Sequence, residues 1–281
     1  MIVDLIQIRT RDGVRLDGIY QAPPAPGRGQ LDAVVCVHGT GSNFYGSTLF
    51  DALAARLLEM NVAVVRANTR GHDLMSTAAT PRGGVRLGAA YEALDDCRLD
   101  LAAWVAWAKA NCGPRVGLIG HSSGAVKCLY ALAHEPDDSV TRLVAVSPPR
   151  LSHAHFAASD VGREFLDTYH RAKALAEASE PEALLDVRLP LPFVVTAAGY
   201  VEKYGPDERY NYLRFIDRVC CPVLLTLGEI ESSNHVAFRG AAEAVARAAP
   251  AVRVVTVAGA DHFYTGVRER LLECVSAWLL G

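Results

Sequence analysis

The stretch Gly120-His121-Ser122-Ser123-Gly124 places a serine between two glycines, and it decides how the rest of the sequence is interpreted. It follows the apolar run Val116–Ile119 and precedes a segment whose apolar residues recur at helical spacing. A serine on a tight turn needs neighbours without side chains, because the backbone folds close upon itself there. The turn would expose the Ser122 hydroxyl beside the N-terminal N–H groups of the following helix. The stretch therefore predicts a strand–turn–helix unit that presents a serine nucleophile.

Short valine-rich runs alternate with longer segments of helical periodicity along the chain. Runs that are apolar at every position are typical of parallel strands covered on both faces by helices. The segments Val3–Arg9 and Val14–Gln21 are instead separated by the turn Arg11-Asp12-Gly13, which predicts an antiparallel hairpin. The other predicted strands are Ala33–Val37, Val62–Val65, Val116–Ile119, Leu143–Val146, Val223–Leu227 and Val252–Val257.

The segment 148–218 interrupts this alternation, with helical patterns but no convincing core strand. A structureless loop of that length is uncommon in a compact domain, so the segment is predicted to be a helical insertion. Its aromatic side chains either extend the core or line an apolar pocket beneath a lid. These aromatics are Phe156, Phe165, Tyr169, Phe193, Tyr200, Tyr204, Tyr210, Tyr212 and Phe215.

Two other loops follow predicted strands and carry groups that a serine nucleophile requires. His262 lies in the loop Gly259–Phe263 after the last strand, where an imidazole can act as a general base. Glu229 and Glu231 follow the strand Val223–Leu227, and either carboxylate could orient that imidazole. The glycine-rich turn His38-Gly39-Thr40-Gly41 could present a backbone N–H to a developing oxyanion, with the N–H of Ser123 as the second donor.

Together these motifs resemble the α/β-hydrolase superfamily across nearly the whole chain apart from the insertion. The resemblance implies a mostly parallel eight-stranded sheet flanked by helices, with residues 1–147 and 219–281 as the core and 148–218 as a helical cap. It implies that Ser122 is the nucleophile and His262 the base, with N–H groups of Thr40 and Ser123 in the oxyanion hole. The acid of many relatives lies three residues after the glycine that ends this strand, which favours Glu231 over Glu229, although most relatives have aspartate there.

The resemblance also implies an activity, but it does not fix the substrate. We expect a serine hydrolase that cleaves a carboxylic ester or lactone of a small to medium, largely apolar compound, with no cofactor. A carbon–carbon bond hydrolase or an acyltransferase could use the same residues, and a ligand receptor without turnover could share the fold.

Two other chemistries have weaker support in the sequence. Tyr169 and Lys173 have the spacing found in short-chain dehydrogenases, but Phe44 stands where the dinucleotide-binding glycine pattern needs a glycine. His153 and His155 have ligand-like spacing, yet no further histidine or cysteine cluster completes a metal site. We therefore expect neither nicotinamide nor metal.

Composition limits the partners and the location. The formal net charge of −3 argues against a nucleic-acid-binding surface. The seven cysteines are scattered, several of them in apolar runs, which suits a reducing compartment better than a disulfide framework. Asp4 interrupts any N-terminal signal sequence, and no apolar stretch is long enough to span a membrane. We expect a cytoplasmic protein with a small-molecule substrate, and the sequence does not predict its oligomeric state.

Overall fold

A computed structural model describes residues 3–25, 30–81 and 83–281, so residues 1, 2, 26–29 and 82 of the predicted core segment lie outside it. Strands and helices alternate over much of this length. The strands are β1 (Asp4–Arg9), β2 (Arg15–Gln21), β3 (Ala33–Val37), β4 (Ala63–Ala67), β5 (Ser76–Thr80), β6 (Gly83–Leu87), β7 (Val116–His121), β8 (Val140–Val146), β9 (Leu184–Val187), β10 (Phe193–Thr196), β11 (Val223–Gly228) and β12 (Arg253–Val257). The helices are α1 (Thr48–Glu59), α2 (Cys97–Asn111), α3 (Ser123–His134), α4 (His153–Ala157), α5 (Gly162–Glu177), α6 (Ala197–Tyr204), α7 (Glu229–Asn234), α8 (Ala241–Ala248) and α9 (Arg268–Leu280).

Eight strands form one sheet in the order β1-β2-β4-β3-β7-β8-β11-β12. β2 pairs antiparallel with both β1 and β4, and the other neighbours run parallel. This confirms the predicted N-terminal hairpin and the mostly parallel eight-stranded sheet. Because the carboxyl ends of parallel strands meet at one edge, the loops that follow β3, β7, β11 and β12 lie together there.

Helices cover both faces of this sheet. Val34 and Cys36 of β3 contact the buried cluster beneath α1 and α9, whereas Val35 and Val37 contact the cluster beneath α2 and α3. Successive side chains of a strand point to opposite faces, so a strand buried on both sides is apolar throughout. Ser47 caps α1, since its side chain accepts a hydrogen bond from the N–H of Phe50 at 3.2 Å.

The segment 148–218 is only partly helical. It contains α4, α5 and α6, and it also contains the antiparallel pair β9 and β10, which the sequence did not predict. Most of its aromatic side chains are buried in the same apolar cluster as the sheet. Those with no more than 1% of their surface exposed are Phe156, Phe165, Tyr200, Tyr210, Tyr212 and Phe215. They extend the core, which is the first of the two interpretations that the sequence left open.

A buried cluster of charges joins this segment to the sheet. Lys127 of α3 is fully buried, and its ammonium lies 2.5 Å from a carboxylate oxygen of Glu92. The other oxygen of Glu92 lies 3.8 Å from the ammonium of Lys203 on α6. Burial raises the pKa of Glu92, but the cationic Lys127 and Lys203 lower it more, and the pKa lies below its ordinary value. Glu92 is therefore the ionised partner of two buried cations.

Replacing Glu92 by Gln should destabilise the fold strongly, because it leaves buried ammonium groups without a counter-charge. We expect the free energy of unfolding, measured by urea denaturation, to fall by about 3–5 kcal/mol. Glu182→Gln is a suitable control, since Glu182 forms an exposed ion pair with Arg86, and it should leave the midpoint nearly unchanged. Equal midpoints for the two variants would contradict this account of the cluster.

Candidate active site

Ser122 occupies the predicted sharp turn between β7 and α3. Its backbone has φ 57° and ψ −128°, a conformation that residues with side chains rarely adopt. A Cβ at Gly120 would lie 2.4 Å from the carbonyl oxygen of Gly124, and one at Gly124 would lie 2.2 Å from that of Val37. Both glycines are therefore required by close backbone contacts, as the sequence predicted.

His262 and Glu231 are brought together although 31 residues separate them. The Nδ1–H of His262 donates to Oε2 of Glu231 at 2.6 Å. Glu231 has 5% of its surface exposed, and its Oε1 accepts hydrogen bonds from the N–H of Gly228 at 2.6 Å and from the hydroxyl of Ser147. The carboxylate is thus fixed by the protein on one side and faces the imidazole on the other.

Glu229, the alternative acid, lies elsewhere. Its side chain is exposed and accepts a hydrogen bond from the N–H of Gly259 at 2.8 Å. This contact fixes the loop before His262 but not the imidazole itself. The geometry therefore favours Glu231 as the partner of His262.

Two supporting hydroxyls were not anticipated from the sequence. Ser147, at the end of β8, also contacts the hydroxyl of Tyr264 at 3.0 Å, and that hydroxyl lies 3.0 Å from Oγ1 of Thr226. Burial raises the pKa of Tyr264 well above its ordinary value, so the phenol keeps its proton. The two hydroxyls form a neutral, buried support behind Glu231. Single serines and tyrosines at these positions give no sequence signal of that role.

His121 is a second group that sequence reasoning missed. Its Nε2–H donates to the carbonyl oxygen of His262 at 2.8 Å, and the two rings are 4.8 Å apart. Burial, together with the neighbouring His262, lowers the pKa of His121 to about 3. The ring is therefore neutral and anchors the backbone of the histidine loop beside Ser122.

His38 fixes the turn that carries Thr40. Its Nδ1–H donates to the carbonyl oxygen of Gly39 at 2.8 Å, and its Nε2 accepts from the N–H of Thr69 at 3.0 Å. Burial lowers the pKa of His38 to about 3, so the ring stays neutral in this role. In the described part of the chain, the N–H groups of Thr40 and Ser123 donate to no other protein atom. Both are therefore available as hydrogen-bond donors to a ligand.

Ser122, His262 and Glu231 line one cavity of about 450 Å³. Across residues 3–25, 30–81 and 83–281, no hydrogen bond joins the Ser122 hydroxyl to His262. The apolar part of the lining is formed by Leu49, Phe50, Leu191, Pro192, Phe238 and Phe263. The suggestion that aromatics of 148–218 line the pocket is wrong, because the segment supplies only Leu191 and Pro192 and its aromatics lie in the core.

The residues considered for metal binding or nicotinamide chemistry make hydrogen bonds or ion pairs within the protein. His153 donates from Nδ1 to the carbonyl oxygen of Tyr204 at 2.8 Å, and His155 from Nε2 to that of Val236 at 2.9 Å. Lys173 forms an exposed pair with Glu177 at 3.7 Å. In the part of the chain that the structure describes, no group of three or more His, Cys, Asp or Glu is placed to hold a metal ion. None of the described helices is both long and apolar enough to cross a membrane.

Comparison with known proteins gives the same fold. The sequence model of the alpha/beta hydrolase family matches residues 34–273. Est1E from Butyrivibrio proteoclasticus, solved with ferulic acid bound, superposes with a TM-score of 0.70 at 19% identity, covering 97% of each chain. The Pyrococcus furiosus esterase Pf2001 gives 0.60 at 20% identity over 99% of this chain and 91% of its own. The α/β-hydrolase GrgF from Penicillium sp. sh18 gives 0.70 at 16% identity over 99% and 98%. No curated protein sequence matches the chain.

Gly124→Ala tests the steric account of the turn, because its methyl group would overlap the carbonyl oxygen of Val37. We expect a loss of about 3 kcal/mol or more in unfolding free energy, seen as a lower thermal midpoint and less soluble protein. Gly84→Ala provides the control, since a Cβ there meets no atom within 4 Å. A Gly124→Ala protein that unfolds at the wild-type temperature would show that the turn tolerates a side chain.

Proposed function

The chain belongs to the α/β-hydrolase family, and from that premise we propose that it is a serine hydrolase that cleaves carboxylic esters or lactones through an acyl-enzyme. The observation that carries the proposal is the contact between His262 and Glu231, in a cavity also lined by Ser122. A serine on a strained turn, a histidine and a buried carboxylate are the three groups that this chemistry needs.

Each group has one role in the proposed mechanism. Glu231 holds His262 with its proton on Nδ1, which leaves Nε2 free to accept the proton of Ser122. The Ser122 oxygen attacks the carbonyl carbon, and the N–H groups of Thr40 and Ser123 stabilise the oxyanion, each by about 3–4 kcal/mol. His262 then protonates the leaving alcohol, and a water molecule cleaves the acyl-enzyme by the same route. No step needs a metal or an organic cofactor.

The missing hydrogen bond between Ser122 and His262 in the described residues is compatible with this role. Hydrogen bonds between catalytic groups are often long in free enzymes and shorten when substrate binds. His121 and Glu229 hold the histidine loop at its backbone. The loop that carries His262 is thus held in the cavity that Ser122 also lines, and we expect the hydrogen bond to Ser122 to form when substrate binds.

The size and lining of the cavity support a small to medium, largely apolar substrate. Its volume of about 450 Å³ lies within the range of small-molecule sites. Similar structures include two proteins described as esterases and one solved with ferulic acid, which agrees with an ester as the substrate.

Ser122→Ala should abolish turnover, because it removes the atom that forms the acyl-enzyme. We expect hydrolysis of p-nitrophenyl butyrate to fall by about four to six orders of magnitude. A fluorophosphonate probe should label the wild type and leave the variant unlabelled. Full activity in a folded Ser122→Ala protein, or a wild type that neither turns over esters nor reacts with the probe, would refute the proposal and favour a receptor.

Glu231→Gln and Glu229→Gln form a matched pair that tests the identity of the acid. The amide in Glu231→Gln cannot hold His262 in the required tautomer, so kcat should fall by about 10⁴-fold. The exposed Glu229→Gln should lower kcat by less than about tenfold, since it alters only a backbone contact. Rate measurements on p-nitrophenyl butyrate decide the assignment, and the reverse order would make Glu229 the acid.

A further inference from the structure

The proposed mechanism fixes which part of the cavity receives the leaving alcohol. The carbonyl oxygen of the ester must face the N–H groups of Thr40 and Ser123. The leaving oxygen must lie next to His262, because it takes its proton from that imidazole. Side chains beside His262 therefore contact the alcohol half of the ester.

Phe238 and His235 both line the cavity and follow one another from the ring of His262. The ring of Phe238 lies 5.1 Å from that of His262, and the ring of His235 lies 5.4 Å from that of Phe238. Both residues line the cavity, and His235 is the polar one. The alcohol half of a bound ester thus meets a phenyl face followed by an imidazole.

The hydrogen bonds of His235 determine which nitrogen carries its proton. Its Nδ1 accepts a hydrogen bond from the N–H of Ala237 at 3.2 Å, so the proton of the neutral ring is on Nε2. Burial and the neighbouring His262 lower the pKa of His235, which keeps the ring neutral near pH 7. Within the described residues the Nε2–H has no protein acceptor. It is an uncharged donor next to the apolar ring of Phe238 in the cavity lining.

The other polar side chains that line the cavity differ from His235 in their position or in their hydrogen bonds. Thr40 and Ser42 belong to the turn beside the oxyanion. Three more make one hydrogen bond each within the protein: the Ser47 hydroxyl accepts from Phe50, the Thr48 hydroxyl accepts from Arg268, and His121 donates to His262. Among these polar groups, His235 is the one that contacts Phe238 beside His262 and has an N–H without a protein acceptor in the described residues.

We propose that His235 is a specificity-determining residue whose Nε2–H binds an oxygen on the leaving alcohol. The preferred substrates are then esters of alcohols that carry a second hydroxyl or ether oxygen near the scissile bond, such as polyol esters. A neutral donor would leave a carboxylate or phosphate without a counter-charge in the cavity, which is unfavourable, so an uncharged oxygen fits better. This proposal rests on the proposed function.

Two esters of equal size test it. Propyl butyrate and 2-hydroxyethyl butyrate share their acyl group and differ by a terminal methyl or hydroxyl. The quantity measured is the ratio of kcat/KM for the hydroxylated ester to that for the plain one. Comparing this ratio between wild type and variants cancels the intrinsic reactivity of the two esters.

Two variants of His235 distinguish the loss of the Nε2–H donor from a change in the local structure. In His235→Asn the amide oxygen can still accept from Ala237, but no N–H remains at the position of Nε2. In His235→Gln the longer side chain places an amide N–H there. We expect the ratio to fall about 2- to 10-fold in His235→Asn, the value of one neutral hydrogen bond, and to stay near wild type in His235→Gln.

The outcomes distinguish this inference from the function on which it rests. If kcat/KM falls by the same factor for both esters in His235→Asn, or if the ratio falls equally in His235→Gln, His235 acts only on the structure and the inference is overturned. If the wild type cleaves p-nitrophenyl butyrate but its kcat/KM ratio for the two alkyl esters equals that of His235→Asn, the inference alone is overturned. A wild type that cleaves none of the three esters overturns both.

Discussion

The contact between the backbone of Gly124 and the carbonyl of Val37 is the constraint on which the rest of the site depends. It brings the start of α3 against the end of β3, so that the serine turn and the glycine-rich turn lie side by side. The N–H groups of Thr40 and Ser123 come from these two turns. Because parallel strands share one edge, β11 and β12 deliver Glu231 and His262 to the same place. One backbone contact and one strand order thus assemble the site.

The sequence predicted the parts of the structure that local patterns encode. The strand β3 is apolar at every position because helices cover both its faces, and the glycines of the serine turn are required by sterics. The hairpin of β9 and β10 was missed, since its four-residue strands form a separate two-stranded sheet among the described residues and are too short to show a clear periodicity. His121, Ser147 and Tyr264 were missed because their roles arise from contacts between residues far apart in the chain.

The proposed acid, Glu231, has one methylene more than the aspartate of most relatives, and its surroundings accommodate the longer side chain. Glu231 lies in the first turn of α7, and its carboxylate bends back to the N–H of Gly228. The hydroxyl of Ser147 occupies the remaining position on Oε1, and Tyr264 in turn holds Ser147. An extra methylene adds a rotatable bond, and these hydrogen bonds remove the freedom that it introduces. The hydrogen bonds around Glu231 thus hold a glutamate carboxylate in place where most relatives have aspartate.

The segment 148–218 acts on the site through a small part of its length. Its aromatics are packed in the core, and Lys203 on α6 is tied to the buried Glu92, which also holds Lys127 on the helix behind Ser122. Displacing α6 as a body would separate this ion pair and expose apolar surface, both of which are unfavourable. Only Leu191 and Pro192, in the turn between β9 and β10, reach the cavity from this segment. The segment therefore borders the cavity through that turn, while its buried aromatics and Lys203 tie the rest of it to the core.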